Sequence, residues 1–191
     1  MNPSLENDRQ RLLGLLRTLS FERRKVTLAS GRESDFYVDC KRTSLTAEGH
    51  WLIGRLLLDR ILRHDPAVTA VGGLTLGADP IASAVSMASW LAARPLHGFI
   101  VRKEVKGHGT GRWIEGPALQ PGSRVAIVED VVTTGGSGLK ACEKAESAGL
   151  VVSGVFALVD RQEGGREAVE ARGHRLDTLF TRGDFIDDAR P

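Results

Sequence analysis

Several features that mark specialised proteins are scarce in this 191-residue sequence. It has two cysteines, Cys40 and Cys142, without metal-ligand spacing around them, so we expect two reduced thiols rather than a disulfide framework or a zinc site. No apolar run approaches the roughly 18 residues that span a bilayer. The first ten residues are polar and do not read as a secretory signal peptide. We therefore expect a cytoplasmic protein with no membrane partner.

A strong charge of one sign is also missing. The chain has 26 basic and 24 acidic residues, a formal net charge of +2, which gives no general attraction to nucleic acid or to a membrane surface. We expect no nucleic-acid partner, and any cationic function must be local. The length and the 41% hydrophobic content are typical of one globular domain, here residues 1–191.

Short apolar runs alternate with helical patterns along the chain. The predicted strands are 25–28, 35–40, 68–71, 96–101, 124–128, 151–159 and 175–180, and leucine spacing predicts a first helix near 12–19. Further predicted helices are 46–63, 79–92, 135–148 and 167–172. Thr46 and Asp79 are expected N-caps, and Gly149 is expected to end a helix. This order predicts an α/β fold with a mostly parallel sheet covered on both faces, and ligands bind beyond the carboxyl ends of such strands.

The most informative stretch is VAIVEDVVTTGGSG, an apolar strand followed by acids and then by the run TTGGS at 133–137. The two glycines allow successive backbone N–H groups to point at one anion, and the helix that follows adds its positive end. The threonine and serine hydroxyls can donate further hydrogen bonds. The run therefore predicts a phosphate site.

Two carboxylates, Glu129 and Asp130, stand directly before this predicted phosphate site. A nucleoside triphosphate loop would carry a nearby lysine, and the chain has no GxxxxGK[ST] pattern. Carboxylates accept hydrogen bonds, so these two need sugar hydroxyls or a cation. Ribose 5-phosphate presents both hydroxyls and a phosphate, which makes a sugar phosphate the ligand that the motif predicts.

A second unusual segment is VRKEVKGHGTGRWIEG. Between Arg102 and Arg112 it has four Arg/Lys residues against one Glu, with glycines at 107, 109 and 111, and it shows neither helical nor strand periodicity. His108 lies between two glycines, which excludes a core position. We interpret residues 102–116 as a flexible lid that brings cations to a polyanion and excludes water during a reaction.

These motifs resemble those of a known family. VAIVEDVVTTGGS resembles the phosphoribosyl pyrophosphate (PRPP) motif of type I phosphoribosyltransferases, and VRKEVKGHGTGRW resembles the catalytic loop of orotate phosphoribosyltransferases. SGRESDFYVDCKR, GGLTLGADPIA and VDRQEGG resemble that family's N-terminal, pyrophosphate-binding and base-binding elements. The resemblance implies the type I phosphoribosyltransferase fold, with a small hood from about residues 1–45 and the C-terminal segment. It also implies a homodimer in which the catalytic loop acts in the neighbouring subunit's site.

The implied reaction joins orotate to PRPP and gives orotidine 5′-monophosphate and pyrophosphate, with Mg²⁺ held mainly by PRPP. Lys103, Asp130 and His108 are the expected catalytic residues, and Thr133 and Arg161 are expected to bind orotate. The residues that the resemblance assigns to PRPP are Arg102, Lys103, Lys106, His108, Glu129, Asp130, Val131, Val132, Thr133, Thr134, Gly135, Gly136 and Ser137.

Two positions depart from the family pattern, because Ala29 and Leu76 stand where many relatives carry lysine. We expect Mg²⁺ and the catalytic loop to supply the missing charge. Two alternatives stay open: a phosphoribosyltransferase for another base, either a purine or uracil, and a PRPP-sensing regulator that binds nucleic acid.

Overall fold

The computed structural model describes residues 3–27, 33–104 and 113–186. The α-helices within these ranges are α1 (Pro3–Leu15), α2 (Lys41–Ser44), α3 (Ala47–His64), α4 (Ala78–Leu91), α5 (Gly136–Ser147) and α6 (Gly165–Glu170). A π-helical turn (Leu16–Ser20) continues α1, and a 3-10 turn (Arg182–Asp184) follows the last strand. The strands are β1 (Phe21–Thr27), β2 (Glu33–Val38), β3 (Ala70–Leu74), β4 (His97–Val101), β5 (Ile114–Glu115), β6 (Arg124–Val132), β7 (Val151–Asp160) and β8 (Leu176–Thr181). None of these helices combines the length and the apolar content that a membrane span requires.

The main sheet has six strands in the order β5-β4-β3-β6-β7-β8. All neighbouring pairs are parallel except β4 and β5, so the predicted α/β class is confirmed. The chain moves from β3 to β4 in one direction and from β6 to β8 in the other. The order therefore reverses between β3 and β6, and a crevice at the carboxyl ends of these two strands is where such sheets bind ligands.

Helices cover both faces of the sheet, and β6 shows why its sequence is continuously apolar. Ala126 and Val128 belong to a core shared with α1, α3 and α4. Val125 and Ile127 point the other way, into a second core with α5 and α6. A strand buried on both faces has no polar alternation, and VAIV follows this rule.

A separate antiparallel pair, β1 with β2, packs on the C-terminal segment through aromatic rings. The ring centroids of Phe21 and Phe36 are 5.0 Å apart, and Phe185 lies 5.6 Å and 5.5 Å from them. These contacts fix the end of β2 and the residues that follow it. The thiol of Cys40, two residues after β2, lies 3.8 Å from the carbonyl oxygen of Asp130.

Two of the predicted helix boundaries are confirmed and one is wrong. Thr46 caps α3 by accepting a hydrogen bond from the Gly49 amide at 3.1 Å. Gly149 follows α5 with a φ of +80°, the left-handed conformation that ends helices. Asp79 is not an N-cap, because α4 already begins at Ala78, and its carboxylate accepts a hydrogen bond from the Thr75 hydroxyl at 2.7 Å instead.

Several elements differ from the sequence prediction. The first helix, predicted near 12–19, instead begins at Pro3, and α1 ends at Leu15. Strand β6 continues to Val132 rather than ending at Val128, because β7 pairs with it as far as Val132 and Asp160. Helix α2 and strand β5 were not predicted; they have four and two residues, too few to show a period. Strand β5 lies inside the stretch that the sequence predicts to be a long loop.

Candidate active site

Glu129 and Asp130 lie in the last part of β6, next to the point where the strand order reverses. Pairing between β3 and β6 ends at Gly72 and Ile127, whereas pairing with β7 continues. The acids are therefore held by a hydrogen-bonded strand on one side and face the turn after β3 on the other. This position is the predicted ligand crevice, and hydrogen-bonded strands form its walls.

A cavity of about 290 Å³ occupies this crevice. It brings together residues from the start of α2, the turn after β3, the segment after β4, the acidic end of β6 and the start of α5. Its lining residues are Lys41, Leu74, Thr75, Leu76, Gly77, Ala78, Lys103, Val128, Glu129, Asp130, Ser137 and Gly138. Four predicted site residues, at positions 103, 129, 130 and 137, thus share one cavity with the predicted pyrophosphate turn.

The Glu129 carboxyl group is held in an environment that disfavours its charge. Burial, and next the nearby Asp130 carboxylate, raise the pKa of Glu129 to about 8. The Ser137 hydroxyl and the Gly138 amide lower this pKa only in part. Its buried Oε2 atom has no hydrogen-bond partner. A buried acceptor without a donor is rare in proteins. We therefore expect this atom to accept a hydrogen bond from a ligand hydroxyl or to bind a cation.

The pKa of the Asp130 carboxyl group is subject to opposing effects. Burial raises its pKa, while a hydrogen bond from the Val131 amide to Oδ1 at 2.9 Å and the Lys41 ammonium favour the charged form. Gly77 lies directly against this carboxylate. The turn after β3 and the acidic end of β6 are therefore in contact at the cavity.

The predicted phosphate loop leads from β6 into α5. Gly135 precedes the helix with a φ of +80°, which a residue with a side chain rarely adopts. Thr134, Gly136 and Ser137 are exposed, so the first turn of α5 is open to an anion. Val132 is buried, and its predicted contact with PRPP can only be made by the backbone. The turn has the form that the sequence predicts.

Gly165, at the start of α6, packs against the phosphate loop. A Cβ atom added to Gly165 would stand 2.6 Å from the Thr133 carbonyl oxygen and 3.1 Å from the Gly135 amide nitrogen. Only glycine allows the start of α6 to approach the loop this closely. This contact explains the second glycine of VDRQEGG, and the first, Gly164, has a φ of +93°, which favours glycine.

The predicted catalytic loop is described at its two ends, and both ends contact ordered elements. The Lys140 ammonium of α5 donates a hydrogen bond to the Lys103 carbonyl oxygen at 2.8 Å. The Arg102 amide donates to the Trp113 carbonyl oxygen at 2.9 Å. The Arg102 guanidinium pairs with Glu115 at 3.2 Å and is not among the groups lining the cavity. Lys106, His108 and Ala29 lie outside the described residues.

Arg161 lies at the end of β7, outside the lining of the cavity. It is buried, pairs with Glu163 at 2.9 Å, and its guanidinium stacks 5.6 Å from the centre of the Phe36 ring. Its amide donates to the Val132 carbonyl oxygen at 2.9 Å, which places it beside the phosphate loop. Thr133 follows Val132 directly, so both predicted orotate contacts lie next to the end of β6.

Sequence reasoning missed Lys41 as a site residue. It stands in the quoted SGRESDFYVDCKR motif, immediately after a predicted strand, and a cation at a strand end was the available signal. The structure shows that β2 carries it to the cavity, where its ammonium lies 2.7 Å from Asp39 Oδ1.

The donor set at the cavity fits a magnesium ion that a phosphate ligand brings with it. The described residues contain no group of three or more His, Cys, Asp or Glu side chains able to hold a metal ion. Mg²⁺ often binds through one or two carboxylates together with substrate phosphates and water. Glu129 and Asp130 could supply these carboxylates. The Oε2 atom of Glu129, which has no hydrogen-bond partner among the described residues, is free to bind a cation.

Comparisons with known proteins agree on one family. An orotate phosphoribosyltransferase of Sorangium cellulosum is 54% identical, with the match covering 100% of both chains. One of Thermosynechococcus vestitus is 48% identical over 97% of this chain and 96% of the relative. The crystal structure of Mycobacterium tuberculosis orotate phosphoribosyltransferase with PRPP matches with a TM-score of 0.77 and 43% identity, over 93% of this chain and 98% of that one. A scan against models of protein families gives no match.

Proposed function

Because the chain belongs to the orotate phosphoribosyltransferase family, we infer that it transfers the ribose 5-phosphate group of PRPP to orotate. The products are orotidine 5′-monophosphate and pyrophosphate, a step of pyrimidine biosynthesis, and the fold is that of type I phosphoribosyltransferases. The observation that carries this inference is the cavity that joins the two acids of β6 to the start of α5. It offers acceptors for sugar hydroxyls and donors for a phosphate a short distance apart.

The reaction proceeds by charge separation at the sugar. The ribose ring gains positive charge as the C1–O bond to the diphosphate breaks, and the leaving diphosphate gains negative charge. Preorganised groups stabilise both charges. Glu129 and Asp130 hold the ribose hydroxyls and favour the positive ring, while the 133–137 loop anchors the 5-phosphate. Asp130 is the residue closest to an acid/base role.

The departing diphosphate requires cations. Lys103 lines the cavity and is the described residue of the predicted catalytic loop best placed to stabilise it. Arg102, Lys106 and His108 are the further contributors, and His108 donates a hydrogen bond or a proton to the leaving group. When bound, Mg²⁺ neutralises part of the diphosphate charge.

Orotate carries a carboxylate, for which Arg161 is the proposed partner, with Thr133 contacting the base. The contacts to Phe36 and Glu163 hold the guanidinium in one orientation, and a guanidinium recognises a carboxylate through two parallel hydrogen bonds. A purine would instead favour an aromatic stacking partner in the C-terminal region. Phe180 and Phe185 are buried there against each other, which supports orotate over a purine.

An apolar surface supports the proposed homodimer. Met87, Trp90 and Leu91 of α4 are 58%, 70% and 62% exposed. Met87 and Trp90 line, together with Ile100 of β4, a groove of about 520 Å³. Large exposed apolar groups that are contiguous mark protein interfaces. We propose that a second copy of the chain covers them and that Lys106 and His108 act in its active site.

A cytoplasmic location stays a prediction from the cysteine content; Cys40 and Cys142 are both buried, free thiols.

The test is pyrophosphate release from PRPP with orotate, hypoxanthine, xanthine, adenine and uracil offered one at a time. We expect release with orotate alone, and a loss of turnover of about a hundredfold or more in Lys103→Ala, since removing a group that stabilises transition-state charge has effects of this size. Arg11→Ala removes an exposed cation of α1 and serves as the matched control. Release with a purine but not with orotate would refute the assignment. Salt-dependent nucleic-acid binding without turnover would favour the regulator.

A further inference from the structure

Lys41 is a cation of the cavity that neither the predicted loop nor the predicted phosphate site includes. The turn after β3, residues 74–78, reads LTLGA and supplies no charge of its own. Its central side chain, Leu76, is 69% exposed. If a diphosphate binds against this turn, only uncharged groups, chiefly of the backbone, contact it from the turn. A positive charge in a fixed position must then come from a neighbouring element.

We propose that Lys41 is that fixed charge and binds the diphosphate side of PRPP directly. The proposal rests on the proposed function and adds to it a binding residue from the start of α2. Among the described residues, Lys41 and Lys103 are the lysines that line the cavity. The same cavity is lined by Glu129 and Asp130, whose carboxylates a polyanion could not approach without such cations.

The backbone at Lys41 is held in place by packed structure, although the side chain is partly exposed. Lys41 is the first residue of α2, and the preceding Cys40 is fully buried, with its thiol on the Asp130 carbonyl oxygen. The position of Lys41 relative to the acids is therefore set by packed structure. A site built on such elements keeps its geometry better than one built on a loop.

The ammonium retains binding capacity in its present contacts. It has three N–H donors, and Asp39 Oδ1 at 2.7 Å uses one of them. The side chain is 45% exposed, so an anion in the cavity can reach it. The ammonium also lies close enough to Asp130 to favour the charged form of that carboxyl group.

A purely structural role for Lys41 makes a different prediction. A half-exposed ion pair contributes little to folding, so loss of the Asp39 pair would affect stability slightly and ligand binding not at all. A direct contact with the diphosphate would affect the binding of ligands that contain a diphosphate, and only those.

The experiment measures binding of pyrophosphate with Mg²⁺, and separately of ribose 5-phosphate, by calorimetry in wild type, Lys41→Gln, Lys41→Arg and Arg42→Gln. Arg42 is the neighbouring α2 residue, which pairs with Glu22 at 2.5 Å. We expect Lys41→Gln to weaken pyrophosphate binding about tenfold to a hundredfold, the range for a hydrogen bond to a charged group. Ribose 5-phosphate binding should change less than threefold, Lys41→Arg should recover most of the affinity, and Arg42→Gln should match wild type.

Equal pyrophosphate affinity in Lys41→Gln and wild type would overturn the proposal, as would a loss confined to ribose 5-phosphate. If Lys41→Gln lowers the melting temperature and weakens the binding of both ligands to the same degree, Lys41 has a structural role. That result would also overturn the proposal. Failure of the proposed function is distinguishable, because wild type itself would then release no pyrophosphate from PRPP with orotate.

Discussion

Gly77 and Asp130 are in direct contact across the cavity: a Cβ atom placed on Gly77 would stand 2.5 Å from Asp130 Oδ1. The turn after β3 can therefore approach the acidic end of β6 only with glycine at this position. The contact joins the two strands between which the sheet order reverses.

Substituting Gly77→Ala should displace either the Asp130 carboxylate or the turn. We expect kcat/KM for PRPP to fall about tenfold to a hundredfold, since misplacing a catalytic group by about 1 Å has effects of this order. Steady-state kinetics would measure the loss. Gly14→Ala is the control, because an added Cβ on this helical glycine meets nothing within 4 Å. Wild-type kinetics in Gly77→Ala would contradict the proposed importance of the contact.

The raised pKa of Glu129 predicts a pH-dependent stability in the absence of ligand. Its pKa is raised from 4.5 to about 8 in the folded state, so between these values the folded state binds more protons than the unfolded state. The free energy of unfolding should then fall as the pH rises from about 4.5 to 8.

Glu129→Gln should lack this component and should be more stable than wild type above pH 8, by on the order of a few kcal/mol. Urea denaturation of both proteins at pH 5, 6.5 and 8.5 would measure the difference, with the exposed Glu167→Gln as the control. A constant difference at all three values would show that the Glu129 carboxyl group does not titrate in this range.

Arg161→Lys tests recognition of the orotate carboxylate. Lysine keeps the charge but loses the planar pair of donors and the stacking on Phe36. We expect KM for orotate to rise about tenfold or more, the cost of losing a charge-assisted hydrogen bond, while KM for PRPP changes less than threefold. The exposed Arg172→Lys is the control. A rise in KM for PRPP alone would reassign Arg161 to the sugar phosphate.

The proposed dimer depends on the apolar face of α4. Trp90→Glu places a charge at a side chain that is 70% exposed in the single chain, and burying an unpaired charge in an interface is strongly unfavourable. Analytical ultracentrifugation should then detect monomers where wild type gives dimers. Val151→Glu, at an exposed apolar residue of β7, should leave the dimer intact, and a dimeric Trp90→Glu variant would place the interface elsewhere.

Mixing two inactive variants tests whether the catalytic loop acts in the partner's site. If His108 serves the neighbouring subunit, a heterodimer of His108→Ala and Asp130→Asn contains one intact site and one site with both defects. Activity should therefore return when the variants are denatured and refolded together. If each loop serves its own subunit, every site keeps one defect and the mixture stays inactive.

Local chemistry made the phosphate loop and the acids predictable. TTGGS allows the left-handed Gly135 and leaves the first turn of α5 open, and the adjacent acids need a donor or a cation; both follow from neighbouring residues. The cap at Thr46 and the stop at Gly149 were predictable for the same reason. The prediction that Asp79 caps α4 was wrong because α4 already begins at Ala78. The Asp79 carboxylate accepts a hydrogen bond from the Thr75 hydroxyl instead.

The sequence by itself determined the alternation of strands and helices, the anion-binding turn and the acidic strand end, since each depends on residues within one turn or one strand. Only the tertiary structure decided that Lys41 reaches the same cavity and that Gly77 lies against Asp130. It also decided that Gly165 supports the phosphate loop and that burial raises the pKa of Glu129. These relationships join residues far apart in the chain, and they arise from the strand order and the packing of β2 on the C-terminal segment, which no local pattern encodes.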